Sequence, residues 1–183
     1  MIYKKIIPSL FSILVLSGCV SNNIKSFKVD TSIDYEIKNK NIKPIYLLPI
    51  KPSEDDPNSI LCRMAGEIYL PKKMTYSQYL NDAFQKTLSA LKIRSDSARL
   101  ASHVMEIELT EVSFSSLQGE WYINAFVRVD NNSPIEIKSL TEFGTSYYAV
   151  QACRNTAESF DEAAANFISQ ILNHSKIAEM ISQ

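Results

Sequence analysis

Two carboxylates, two imidazoles and three thiols are the side chains of this 183-residue chain whose types invite a reaction. Glu106 and Glu108 stand two apart in an alternating segment, so on a strand they share one face at a spacing of about 7 Å. That separation falls in the range of an inverting glycosidase pair, with one acid and one base flanking a water. Such a pair also needs surroundings that drive the two pKa values apart. The neighbouring sequence offers none, and a solvated outer strand face accounts for both residues. His103 and His174 show no metal-ligand spacing to each other or to Cys62 and Cys153, and no Cys-x-x-Cys or His-x-x-x-His occurs. Glu54-Asp55-Asp56 is a consecutive acid run rather than the alternating ligand pattern of a calcium loop. With glycines as sparse as four, no phosphate-cradling loop assembles. No catalytic set, no metal site and no cofactor is therefore expected, and a hydrolase ranks last among the functional classes.

The third cysteine has a different setting. Lys4-Lys5 precede an apolar run from Ile6 to Leu16, and Leu16-Ser17-Gly18-Cys19 closes it. A run of about 11 residues suits a signal peptide and is short of the roughly 20 that a spanning helix needs. The Leu-Ser-Gly-Cys tetrad resembles the lipobox of bacterial lipoproteins. That resemblance implies a diacylglycerol on the Cys19 thiol, cleavage before Cys19 and acylation of the new amino group. It covers residues 1–19 only. Val20 in place of an aspartate implies, by analogy with Gram-negative sorting, the outer membrane, with the domain facing the periplasm. Each buried CH₂ contributes about 0.8 kcal/mol, so the expected three chains hold the protein firmly to the bilayer.

Removing 18 of the 183 residues leaves 165, enough for one domain with a substantial core. The mature count is 17 basic against 20 acidic side chains, because Lys4 and Lys5 leave with the leader. A net negative chain lacks the basic footprint that releases phosphate counterions, so nucleic acid is not an expected partner. In an oxidising periplasm the remaining pair, Cys62 and Cys153, is a disulfide candidate; two buried free thiols are the alternative.

These observations divide the chain into a leader (1–18), a lipidated cysteine with a polar Ser/Asn/Lys-rich tether (19–42) and a single periplasmic domain (43–183). A flexible tether of about 20 residues has a reach of order 25 Å, which would let the domain sit clear of the lipid. A weak strand is expected within it near Ile33–Ile37. Pro44–Ile50 reads as a buried strand, and Glu67–Leu70 as a short one. Thr75 with Gln78 forms a capping-box pattern ahead of a helical stripe through Tyr76, Leu80, Phe84, Leu88 and Leu91. Three strands follow. The first alternates through Met105, Ile107 and Leu109 and slips phase near Thr110–Glu111, as a bulge would make it do. The second runs from Trp121 to Val129, and the third from Ile135 to Tyr148 with a break near Gly144. Ser159 with Glu162 suggests a second capping box, with an earlier start at Thr156 as the alternative, before a stripe through Phe160, Phe167, Ile171 and Leu172; Ile177–Ile181 forms a short terminal helix.

The expected fold is thus α+β: a mostly antiparallel sheet with two helices packed on one face, in the order β-α-β-β-β-α. In element order and lipobox this resembles small domains of envelope accessory proteins. Among these are the lipopolysaccharide-assembly lipoprotein that plugs its barrel partner, the N-terminal domain of the Tol-system propeller protein, and auxiliary lipoproteins of envelope ABC transporters. The resemblance implies a non-enzymatic accessory, assembly or scaffold role for an envelope protein complex. The alternative is a domain that binds a lipid, glycan or peptide. Trp121 lies on the apolar phase of its strand and is expected in the core. Tyr122 and Phe126 share the opposite phase and are the candidate contact surface.

Overall fold

The computed structural model describes residues 22–29 and 41–182. The leader, the Leu16–Cys19 motif and the expected strand at 33–37 lie outside the described residues.

Period-two alternation builds the main sheet. Its strands are β2 (Ile45–Leu47), β5 (His103–Ser115), β6 (Glu120–Val129) and β7 (Ile135–Glu142), in the order β2-β5-β6-β7. Met105, Ile107, Leu109, Trp121, Ile123, Ala125, Val127 and Ile137 all turn to one face and are buried, as alternate residues of paired strands must. The register steps from Leu109 opposite Ala125 to Glu111 opposite Asn124. The extra residue, Thr110, is the bulge that the phase slip implied, and past it Val112 and Phe114 pack against the core.

Helix α1 (Tyr76–Ala90) starts on a complete capping box. Thr75 Oγ1 accepts from the Gln78 N–H, and Gln78 Oε1 accepts from the Thr75 N–H at 3.0 Å. Its stripe meets the sheet through rings. Tyr76, Tyr79, Trp121 and Phe160 lie within 4.6–6.2 Å of one another in successive pairs, and Phe114 is 5.0 Å from Trp121. α2 (Ala149–Glu158), α3 (Phe160–Asn173) and α4 (Ser175–Met180) complete the chain; α3 packs across β6 and β7 and against α1.

The class is α+β, but the sheets are mixed rather than mostly antiparallel, and the element order is longer than expected. β2 runs parallel to β5, with Ile45 opposite His103. A strand that returns beside its predecessor after a helical crossover lies parallel to it, and alternation along the sequence is blind to that choice. A second, three-stranded sheet has the order β1-β4-β3, from β1 (Asn22–Asn23), β3 (Ser59–Leu61) and β4 (Glu67–Tyr69). β1 is parallel to β4, with Asn22 opposite Ile68, and β3 is antiparallel to β4.

Three further expectations are corrected. Residues 22–29, read as tether from their polarity, dock on the domain: Ile24 and Phe27 are buried, and the Ile24 N–H donates to the Tyr69 carbonyl at 2.8 Å. Two well-placed apolar side chains outweigh a polar average. The last strand ends at Glu142 rather than Tyr148. Ser159 makes no capping hydrogen bond; it sits in helical geometry between α2 and α3. α2 carries no apolar stripe in the sequence, because its buried residues Ala152, Cys153, Thr156 and Ala157 are small.

Candidate functional site

Glu106 does not stand free beside Glu108. Its carboxylate pairs with the Lys51 ammonium and, at 3.0 Å, with Arg128 Nη1. The hydrogen bond from Lys51 is the largest influence on it and holds the carboxyl below the usual glutamate range. A carboxylate fixed in its ionised form suits an ion-pair cluster better than a proton donor. His103 Nδ1 donates to Asp130 Oδ2 at 2.9 Å, and Asp130 Oδ1 accepts from the Val104 N–H at 2.8 Å. This pair ties the start of β5 to the β6–β7 turn. Among the described residues, no group of three His, Cys, Asp or Glu side chains converges as metal ligands would.

Tyr122 and Phe126 lie on the sheet face opposite the buried one, but that face does not join them into one apolar strip. Tyr122 is half-buried, lies opposite Leu140 and Ser113, and donates its hydroxyl proton to Glu120. That hydrogen bond is the main cause pushing the phenol pKa up. Phe126 is 42% exposed between Glu108 and Glu136. Asn124 lies between the two aromatics and donates to Glu111 at 2.7 Å. The result is a mixed face: Tyr122 beside Leu140 at one end, and Phe126 among carboxylates at the other. β7 is its outer edge.

At the far end of β5 and β6 lies a second surface that the sequence did not single out. Cys62, in the β3–β4 turn, is joined to Cys153 of α2 by a disulfide. Beside it, Arg63 donates through Nε to Ser116 Oγ at 2.9 Å and through Nη1 to the Ser146 carbonyl at 3.1 Å; Nη2 donates to the Ser116 carbonyl. Thr145 Oγ1 donates to that same carbonyl. One guanidinium thus fastens three segments, 62–66, 115–119 and 143–148, into one tip. Gly119 completes the tip's hairpin at φ 77°, where a Cβ would collide with the Phe143 carbonyl. Large apolar side chains project from this tip, Met64 and Tyr147 foremost. Only the Tyr147-Tyr148 doublet hinted at it in the sequence, because the three segments are far apart along the chain.

Between helices and sheet, the ring cluster fills the interior. An open depression of about 410 Å³ runs outside it along α1, bordered by Pro49, Ile50, Met74 and Asn81. No helix among the described residues is long and apolar enough to cross a membrane.

No family model matches the chain, and no curated protein matches it in sequence. Its fold is similar to the crystal structure of protein XCC0632 from Xanthomonas campestris, described with the family model DUF330. That likeness has a TM-score of 0.51 and 8% identity, over 88% of this chain and 97% of that one. The hypothetical protein CT253 from Chlamydia trachomatis is 11% identical over 76% of this chain and 93% of its own, at a TM-score of 0.37. At 8% identity the likeness to XCC0632 is one of architecture.

Proposed function

We propose that this chain is an acyl-anchored lipoprotein of the outer membrane, its domain on the periplasmic side, and that it acts without catalysis as an accessory or assembly factor for an envelope protein complex. The observation that carries this reading is the Leu16-Ser17-Gly18-Cys19 tetrad standing just ahead of a folded unit in which Asn22 is the first paired residue among those described. The Cys62–Cys153 disulfide fits an oxidising compartment. Anchoring confines the domain to a thin shell, which raises its effective concentration toward membrane partners without any further contact. The open face around Tyr122, Leu140 and Phe126, bounded by the edge strand β7, is the surface offered to such a partner. Radiolabelled palmitate is expected to enter the wild-type protein and not Cys19→Ala, which leaves the membrane fraction. Photocrosslinkers at positions 122 and 126 in cells are expected to trap one discrete envelope protein. Unchanged membrane partition of Cys19→Ala removes the anchor from this reading, and the absence of any adduct removes the partner surface.

The depression along α1 favours a second reading, a domain that binds a lipid, glycan or peptide. Native mass spectrometry of the purified protein tests it through the mass of a retained ligand.

A further inference from the structure

We propose that the Arg63-centred tip is a lipid-contact surface that seats the domain directly on the bilayer in one fixed orientation. This rests on acylation of Cys19.

Chain length and strand direction bring the bilayer to the tip. β1 is parallel to β4, so its N-terminal end, at Asn22, lies on the side of Glu67 and the 62–66 turn. Asn22 is held there by pairing with Ile68, and Ile24 and Phe27 are buried just beyond it. Val20 and Ser21 alone separate Cys19 from Asn22. Three Cα–Cα steps span at most about 11 Å. The acylated residue therefore cannot hold the domain 25 Å clear of the lipid, as a free tether would. It draws the edge of the β1-β4-β3 sheet, and the turn beside it, onto the membrane.

The side chains at that end suit the interface. Met64 is 92% exposed, Leu117 76%, Tyr147 97% and Tyr148 77%. Met64, Leu117 and Tyr147 each follow directly on a member of the Arg63–Ser116–Ser146 hydrogen-bonded node. Three separate loops therefore present their apolar residues together, on a base braced by the disulfide. Tyrosines favour the headgroup level, where the ring is shielded and the hydroxyl stays wet. The segments 62–66, 115–119 and 143–148 contain no acidic side chain. Glu67, Glu120 and Glu142 lie just behind them, on the strands, where the headgroup boundary would fall. Seated this way, the domain presents its open sheet face sideways along the membrane rather than toward it.

Tryptophan quenching tests the seating. The acylated full-length protein is reconstituted in vesicles of phosphatidylglycerol and phosphatidylcholine brominated on the acyl chain. Tyr147→Trp and Leu117→Trp are compared with Leu100→Trp and with wild type, whose Trp121 is buried. Leu100 precedes β5 and lies roughly 40 Å from the tip along that strand. The added emission of both tip variants is expected to fall by about half or more, and that of Leu100→Trp to stay unquenched. If tip and Leu100 tryptophans are equally quenched or equally unaffected while the protein still floats with the vesicles, the seating is overturned and the anchor stands. If the wild-type protein does not float with them, the acyl anchor itself is overturned, and the seating with it.

Discussion

The indole Nε1 of Trp121 donates to the Thr156 carbonyl at 3.0 Å and to Ser159 Oγ at 3.2 Å, so the central core aromatic of β6 also fastens the junction of α2 and α3. Trp121→Phe keeps most of the apolar contact but leaves the junction without its donor. The loss is expected to be about 1–2 kcal/mol, read as a lower urea midpoint with an unchanged slope. An unaltered midpoint would show that the junction holds without the indole.

Cys62 and Cys153 close a loop over a sequence separation of 91 residues. Opening it with dithiothreitol, or by Cys62→Ser with Cys153→Ser, is expected to destabilise the domain by about 2–5 kcal/mol, a model-dependent figure. Denaturant melts with and without reductant measure it. Coincident curves would mean that the tip and α2 stay docked through packing alone.

Gly119 occupies a left-handed conformation, pressed against the Phe143 backbone. Gly119→Ala meets both a φ penalty and a backbone clash, so a loss of about 2 kcal/mol or more is expected. Gly144 has no heavy atom near the position a Cβ would take, and Gly144→Ala is expected to be nearly neutral. Thermal melts of the two variants, taken side by side, check the contrast.

Asp130 supplies a pH dependence. Burial pushes its carboxyl up, but the Val104 N–H and His103 together outweigh that and hold it below the ordinary aspartate value of 3.8. A depressed folded-state value gives stabilisation that is complete above the ordinary value and is lost as pH falls through the folded one. Asp130→Asn tolerates the positive φ of 52° and removes the charge. It is expected to cost no more than about 1 kcal/mol near neutrality. The gap from wild type should close below roughly pH 4. A gap independent of pH would assign the effect to the hydrogen bonds rather than the charge.

Local pattern made several elements legible. Thr75 and Gln78 mark the start of α1 because a capping box is written within four residues. The bulge at Thr110 shows because one inserted residue inverts the alternation. The inward phase of Trp121 follows from period two. Elements lacking large apolar residues were harder to read. α2 buries only small side chains, and Ser159 resembles a cap in composition while serving as the bridge between two helices.

By itself the sequence determined which faces are apolar, that strands and helices combine in an α+β fold, and that a motif resembling a lipobox stands near its start. Only the tertiary structure decided that β2 and β1 pair in parallel, that residues 22–29 dock, and that Arg63 gathers Met64, Leu117 and Tyr147 at one end. The reason is physical. Alternation and capping are recorded between neighbours in the chain, whereas strand direction and the convergence of distant loops depend on which surfaces meet once the core has closed.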